Sequence, residues 1–188
     1  MKRLFVAVDI SDAARQRVAE YTTELRRSFP NHRVRWERPE KLHLTLRFLG
    51  DTDESLVGPL SNALTDLAAK YRPFQMYLEE TGVFPTKGDA RILWIGIRSG
   101  EILSAIAHDI EEVCSSLGFK IERREFSPHL TIARLREPRS SIDVAAAHRS
   151  CHFSAIMFGV REIVLYESKL EASGSIYNKT ATFPLSAN

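Results

Sequence analysis

At 188 residues, 44% of them apolar and 27% charged, the chain is long enough for one good-sized domain or for two small lobes on a shared core. No apolar run approaches the ~20 residues of a membrane helix, the basic start Met1-Lys2-Arg3 leads into a short run that Asp9 interrupts, and Cys114 and Cys151 stand far apart. Neither a membrane helix nor a secretory signal is expected and a reduced cytoplasmic protein is the simplest reading, while a net charge of +2 selects no partner by itself.

Residues 4–10 predict a buried strand, and Ser11 or Asp12 caps a helix that runs to about Phe29 and stops at Pro30. Residues 33–39 form a basic loop in which Trp36 either packs on the domain or offers its ring face to a nucleobase. His43-Leu44-Thr45-Leu46 lies in an apolar strand from Leu42 to Gly50. After a turn at 50–53, Leu56, Leu60, Leu64, Leu67 and Ala68 keep helical spacing, with Pro59 in the first turns. Residues 74–84 and 91–97 predict two strands joined by a long turn at Pro85-Thr86-Lys87-Gly88-Asp89. Ile102, Ile106, Ile110, Val113 and Leu117 make the stripe of a helix ending at Gly118. Arg123 and Arg124 lead into a second motif strand, His129-Leu130-Thr131-Ile132. Residues 136–148 predict a loop with a short helix, and 153–158, 162–168 and 176–183 the closing strands.

The repeated phrase carries the chemistry. In a strand alternate side chains share a face, so His43 lies beside Thr45, and His129 beside Thr131, with the leucines and isoleucine behind them. An imidazole beside a hydroxyl can move a proton and donate a hydrogen bond, which is half of a phosphate site. One copy reads better as a half-buried strand histidine with no function; two copies with the same apolar interleaving point to one composite site.

Charge and spacing agree with that reading. Windows 26–47 and 120–139 hold thirteen of the 26 basic residues and five of the 24 acidic ones, a net of +8 against −6 for the rest of the chain. A basic field around two histidines suits a polyanion such as RNA, although solvated surface arginines are the plain alternative. Leu4-Phe5-Val6-Ala7-Val8, a helix and the first motif follow the same order as Leu93-Trp94-Ile95-Gly96-Ile97, a helix and the second motif. Two such halves about a pseudo-twofold axis would bring the motif strands face to face across a cleft.

These residues, together with Arg3-Leu4-Phe5-Val6-Ala7-Val8-Asp9, Arg47-Phe48-Leu49-Gly50, Gly82-Val83-Phe84-Pro85, Arg91-Ile92-Leu93-Trp94-Ile95-Gly96, Phe126-Ser127-Pro128, Ala133-Arg134 and Leu165-Tyr166-Glu167-Ser168, resemble the 2H phosphoesterases, and within them the bacterial and archaeal RNA 2′,3′-cyclic phosphodiesterases, also called 2′-5′ RNA ligases. The resemblance runs nearly end to end. It implies an α+β, bilobal fold over residues 1–188, in which two pseudo-symmetric lobes each contribute an antiparallel sheet to a central cleft, with helices outside. It also implies opening of RNA 2′,3′-cyclic phosphate ends to 2′-phosphomonoesters with neither metal nor other cofactor. The alternatives are joining of tRNA half-molecules through a 2′-5′ bond by the same histidines, and a non-catalytic module that binds RNA ends.

By the family's pattern His43 is the proton donor and His129 the proton acceptor in hydrolysis, with Thr45 and Thr131 donating to the phosphate oxygens. Arg134 matches a family position near the phosphate, yet its parity is opposite to that of His129, so it reaches the cleft only if the strand twists, bulges or ends there. Arg47 has the right parity beside His43 and Thr45, and for both arginines a surface ion pair is an equal reading. His148 and His152, four apart beside Cys151, could hold zinc on a helix but lack a further ligand at a recognisable interval, so they read as a surface pair. His32 and His108 read as solvated, no phosphate-cradling glycine loop is present, and nothing requires more than a monomer.

Overall fold

The computed structural model describes residues 1–171 and 174–186. In chain order its elements are β1 (Lys2–Asp9), α1 (Asp12–Ser28), β2 (Val34–Trp36), β3 (His43–Thr52), α2 (Val57–Ala68), β4 (Phe74–Phe84), β5 (Ile92–Arg98), α3 (Ile102–Ser116), β6 (His129–Leu135), α4 (Ile142–Ser150), β7 (Ile156–Val160), β8 (Glu162–Glu171) and β9 (Gly174–Pro184). The first helix starts where Ser11 accepts a hydrogen bond from the Ala14 amide and ends at Phe29, just before Pro30.

Two antiparallel sheets result, one of order β3-β1-β8-β9 and one of order β2-β6-β5-β4-β7. Each motif strand lies beside the first strand of its half, β3 beside β1 and β6 beside β5, so the strand–helix–strand halves expected from the sequence are present. They are not two consecutive blocks, however. The edge strand β2, from the first half, pairs with β6 in the second sheet, and β8 and β9, from the end of the chain, complete the first.

A continuous apolar core draws on both sheets and all four helices, with Leu4, Val6 and Val8 of β1 facing it. The opposite face of β1 carries Phe5 and Ala7, which pack with Val164, Tyr166 and Tyr177 into a smaller cluster. β1 is thus buried on both faces, which accounts for its uninterrupted apolar run. The rings of the smaller cluster pack against His43.

His148 corrects the expected surface pair. It is fully buried on α4, its Nδ1 2.7 Å from the Tyr21 hydroxyl and its Nε2 3.0 and 3.1 Å from the Trp94 and Gly82 carbonyls. The carbonyls can only accept, so Nε2 carries the proton and Nδ1 accepts from Tyr21. This buried hub ties α1 and α4 to β4 and β5 and leaves no nitrogen for a metal. His32 is also less solvated than expected, with Nε2 2.9 Å from Asp143, whereas His108 stands exposed, 3.5 Å from Glu112. Trp36 packs against the core, with the Arg26 guanidinium 5.4 Å from its ring centre.

Burial lowers the pKa of His148, opposed by its hydrogen bonds to the Trp94 and Gly82 carbonyls. The neutral form is therefore favoured in the fold and the charged form in the unfolded chain. Its contribution is present above the unfolded value of about 6.5 and is lost as pH falls through the lower folded value. Thermal unfolding followed from pH 8 down to pH 5 is expected to show a falling Tm below about pH 6.5. A Tm that rose on acidification would contradict the buried neutral imidazole.

Candidate active site

The two motif strands face a cavity of about 770 Å³ that contains His43, Thr45, His129, Thr131 and Arg134 in its walls. Both imidazoles are held in the same way. His43 Nδ1 lies 2.7 Å from the carbonyl of Lys41, and His129 Nδ1 lies 2.7 Å from the carbonyl of Ser127. Because a carbonyl only accepts, each Nδ1 bears hydrogen and each Nε2 is the ring nitrogen left to take up or give a proton. The local cause is the same in both copies: the strand starts at the histidine, so the carbonyl two residues earlier turns back toward its ring.

Their surroundings differ. His43 stacks on Phe5 at 4.8 Å between ring centres and meets Tyr177 edge-on at 5.1 Å. Burial is the main cause that lowers its pKa, opposed by the Lys41 carbonyl and by Asp9. Asp9 in turn accepts a hydrogen bond from Tyr166 at 2.6 Å and pairs with Lys179 at 2.7 Å. Arg15, on α1, donates at 2.8 Å to both the Pro39 and Leu42 carbonyls and so pins the turn that delivers His43. His129 has a lighter frame, an edge contact with Phe84 at 4.9 Å and Trp94 at 6.5 Å. Gly82 leaves room for that indole, since a Cβ there would fall 2.1 Å from the Trp94 ring.

Matching bulges decide where the arginines go. On β3, Thr45 pairs with Ala7 and Arg47 with Val6, leaving Leu46 as the extra residue; on β6, Thr131 pairs with Trp94 and Ala133 with Leu93, leaving Ile132. Parity reverses at the same place in both strands, and so does the burial pattern. Arg134 thereby comes to the side of His129 and Thr131, lines the cavity and stands 3.5 Å from Glu37. Arg47 falls on the other side of β3, contrary to its expected parity, although it still borders the cavity. It is 8% exposed, its Nε lies 2.5 Å from Glu111, and it donates to the carbonyls of Phe48 and Lys120. A guanidinium committed to α3 and to the loop before β6 acts as a strut between lobes.

Phe48 takes the place on β3 that Arg134 has on β6. It is 63% exposed, lies 5.8 Å from Phe5 and lines the cavity with Phe84, Ile92 and Phe126. Sequence reasoning missed Phe48, Arg15 and Tyr177. The signal for Phe48 was an apolar residue that a regular strand would have buried; for Arg15 and Tyr177, contacts across the fold, no local signal exists.

The LigT like Phosphoesterase family model matches this chain twice, over residues 8–94 and 95–177, one match for each motif. The chain belongs to that family. Among curated proteins it is similar to an RNA 2′,3′-cyclic phosphodiesterase of Geobacillus stearothermophilus, 36% identical over 98% of this chain and 58% of that longer protein. It is also similar to an RNA 2′,3′-cyclic phosphodiesterase of Methanothermobacter thermautotrophicus, 30% identical over 97% of this chain and 98% of the relative. Among solved structures, TT0787 of Thermus thermophilus has the same fold, with a TM-score of 0.82 and 25% identity over 99% of this chain and all of that one. The α+β architecture of two antiparallel sheets with helices is thus the family's fold.

Proposed function

We propose that this protein opens 2′,3′-cyclic phosphate ends of RNA to 2′-phosphomonoesters, with two histidines and no metal. The observation that carries the reading is the pair of imidazoles that line one cavity, each with Nδ1 fixed on a carbonyl and Nε2 left for proton transfer. The names of the similar curated proteins support the substrate.

In this scheme neutral His129 takes a proton from water at Nε2 while the water oxygen attacks phosphorus. The bond to the ribose O3′ breaks, and O3′ receives the proton that His43 carried on its own Nε2. The phosphate stays on O2′, and one proton has moved at each end of the displacement. Thr45 and Thr131 donate to the non-bridging oxygens as charge gathers there, with Arg134 beside them. A ribose 5′-hydroxyl in place of water would give a 2′-5′ joint by the same transfers. The donor role asks His43 to hold a proton that burial makes it give up readily. A bound phosphate anion offsets this, because a nearby opposite charge favours the charged imidazole.

An RNA oligomer ending in a 2′,3′-cyclic phosphate is expected to be hydrolysed at an undiminished rate in excess EDTA. Loss of turnover on chelation, restored by a divalent cation, would overturn the metal-free scheme.

A further inference from the structure

One cross-strand row of the second sheet has two unlike ends. Phe84 on β4, which lines the cavity with Phe48 and Phe126, stands at one, followed by Ile92 on β5. At the other, the short edge strand β2 pairs with β6 so that Arg35 stands directly opposite Arg134. Side chains opposite each other on antiparallel strands are neighbours on one face, and like charges there repel. Glu37 answers Arg134 at 3.5 Å, but no carboxylate among the described residues lies within ion-pairing distance of Arg35. Its guanidinium instead crosses to the other sheet and lies over Gly174 at the start of β9, where a Cβ would sit 2.7 Å from Nη2. Lys41 joins this end by donating to the Ser175 carbonyl, and its amine lies 6.0 Å from the centre of the Tyr177 ring, the ring that meets His43 edge-on. Arg35, Arg134 and Lys41 thus gather beside the frame of His43, and among the described residues only Arg134 of the three has an ion-pairing carboxylate, Glu37.

We propose that Arg35 extends the phosphate site at Arg134 into a second anion subsite, which takes the phosphodiester on the 5′ side of the terminal nucleotide. This rests on the hydrolase reading above and adds to it a requirement for more than a mononucleotide. A cyclic phosphate seated between the histidines places its ribose in the cleft, and the chain leaving that ribose carries its next negative charge toward one end or the other. The end with phenylalanine rings suits a base, and the end with two forked guanidinium groups suits a phosphodiester. The repulsion between the arginines, only partly answered by Glu37, is relieved when an anion enters.

The test compares kcat/KM for adenosine 2′,3′-cyclic phosphate with that for an adenine dinucleotide ending in the cyclic phosphate, across a range of salt. The dinucleotide is expected to be preferred. Arg35→Ala is expected to lower the dinucleotide value about tenfold more than the mononucleotide value, the scale of one charge-assisted contact. It should also reduce the steepness of the log–log salt dependence for the dinucleotide by about 0.7, the share of one single-strand phosphate contact. Arg35→Lys keeps the charge and is expected to retain that salt dependence. Mononucleotide turnover by each variant reports that it has folded, and Arg35→Gln provides a second neutral variant. Equal kcat/KM for the two substrates, or equal losses on both with an unchanged salt dependence, would overturn the subsite alone. No turnover of either substrate by the unaltered protein would overturn the hydrolase reading and the subsite with it.

Discussion

Replacing His129 or His43 by alanine is expected to lower kcat by ~10²–10⁴, the range for a positioned general acid or base. Each Nε2 is the one nitrogen of its ring not engaged by the backbone, so in the proposed scheme alanine removes the proton carrier itself. Because both transfers belong to one displacement, the double variant is expected to lose far less than the product of the two single losses. The residual activities separate the roles. With His129 gone, what remains needs a protonated His43, so kcat/KM should fall as pH rises through a pKa that burial holds below the ordinary value of about 6.5. With His43 gone, that fall should be absent. A fall that persisted without His43 would contradict its role as donor, and a near-full rate in either variant would contradict the paired-histidine scheme.

Thr45→Val and Thr131→Val are each expected to cost ~10²–10³ in kcat with little change in KM, as when one placed donor to a developing negative charge is removed. Valine keeps the branched shape, and both threonines are half-buried on the cleft side of strands whose next residue, Leu46 or Ile132, is the bulged one. Serine at either position retains the hydroxyl and is expected to recover most of the rate. A rise in KM at constant kcat would instead show the hydroxyls holding substrate and transition state equally.

The α+β arrangement was implied by the family resemblance, whereas the helices and the shared face of each histidine and its threonine were legible because they depend on short-range pattern. Alternation brought each threonine to its histidine's side, and the apolar stripes of α2 and α3 marked two helices. What stayed hidden depends on partners distant in the chain. Leu46 and Ile132 carry no mark of a bulge, yet the slip they introduce sends Arg47 into the interior and Arg134 to the cleft. His148 looked like a surface residue because Tyr21, Gly82 and Trp94, which satisfy it, come from three other elements. The placement of β2 on the edge of the second sheet, which sets Arg35 against Arg134, follows from a register that neither segment encodes alone. In each case a local rule gave the default, and a long-range contact replaced it.

The in-line displacement between the two imidazoles is tested most directly by the new terminus. An RNA oligomer ending in a 2′,3′-cyclic phosphate is incubated with the protein in EDTA, and the phosphate on the product is located by nuclease mapping. The scheme predicts a 2′-phosphomonoester, because O3′ leaves with the proton from His43. A 3′-phosphate, or an unchanged cyclic end, would contradict it.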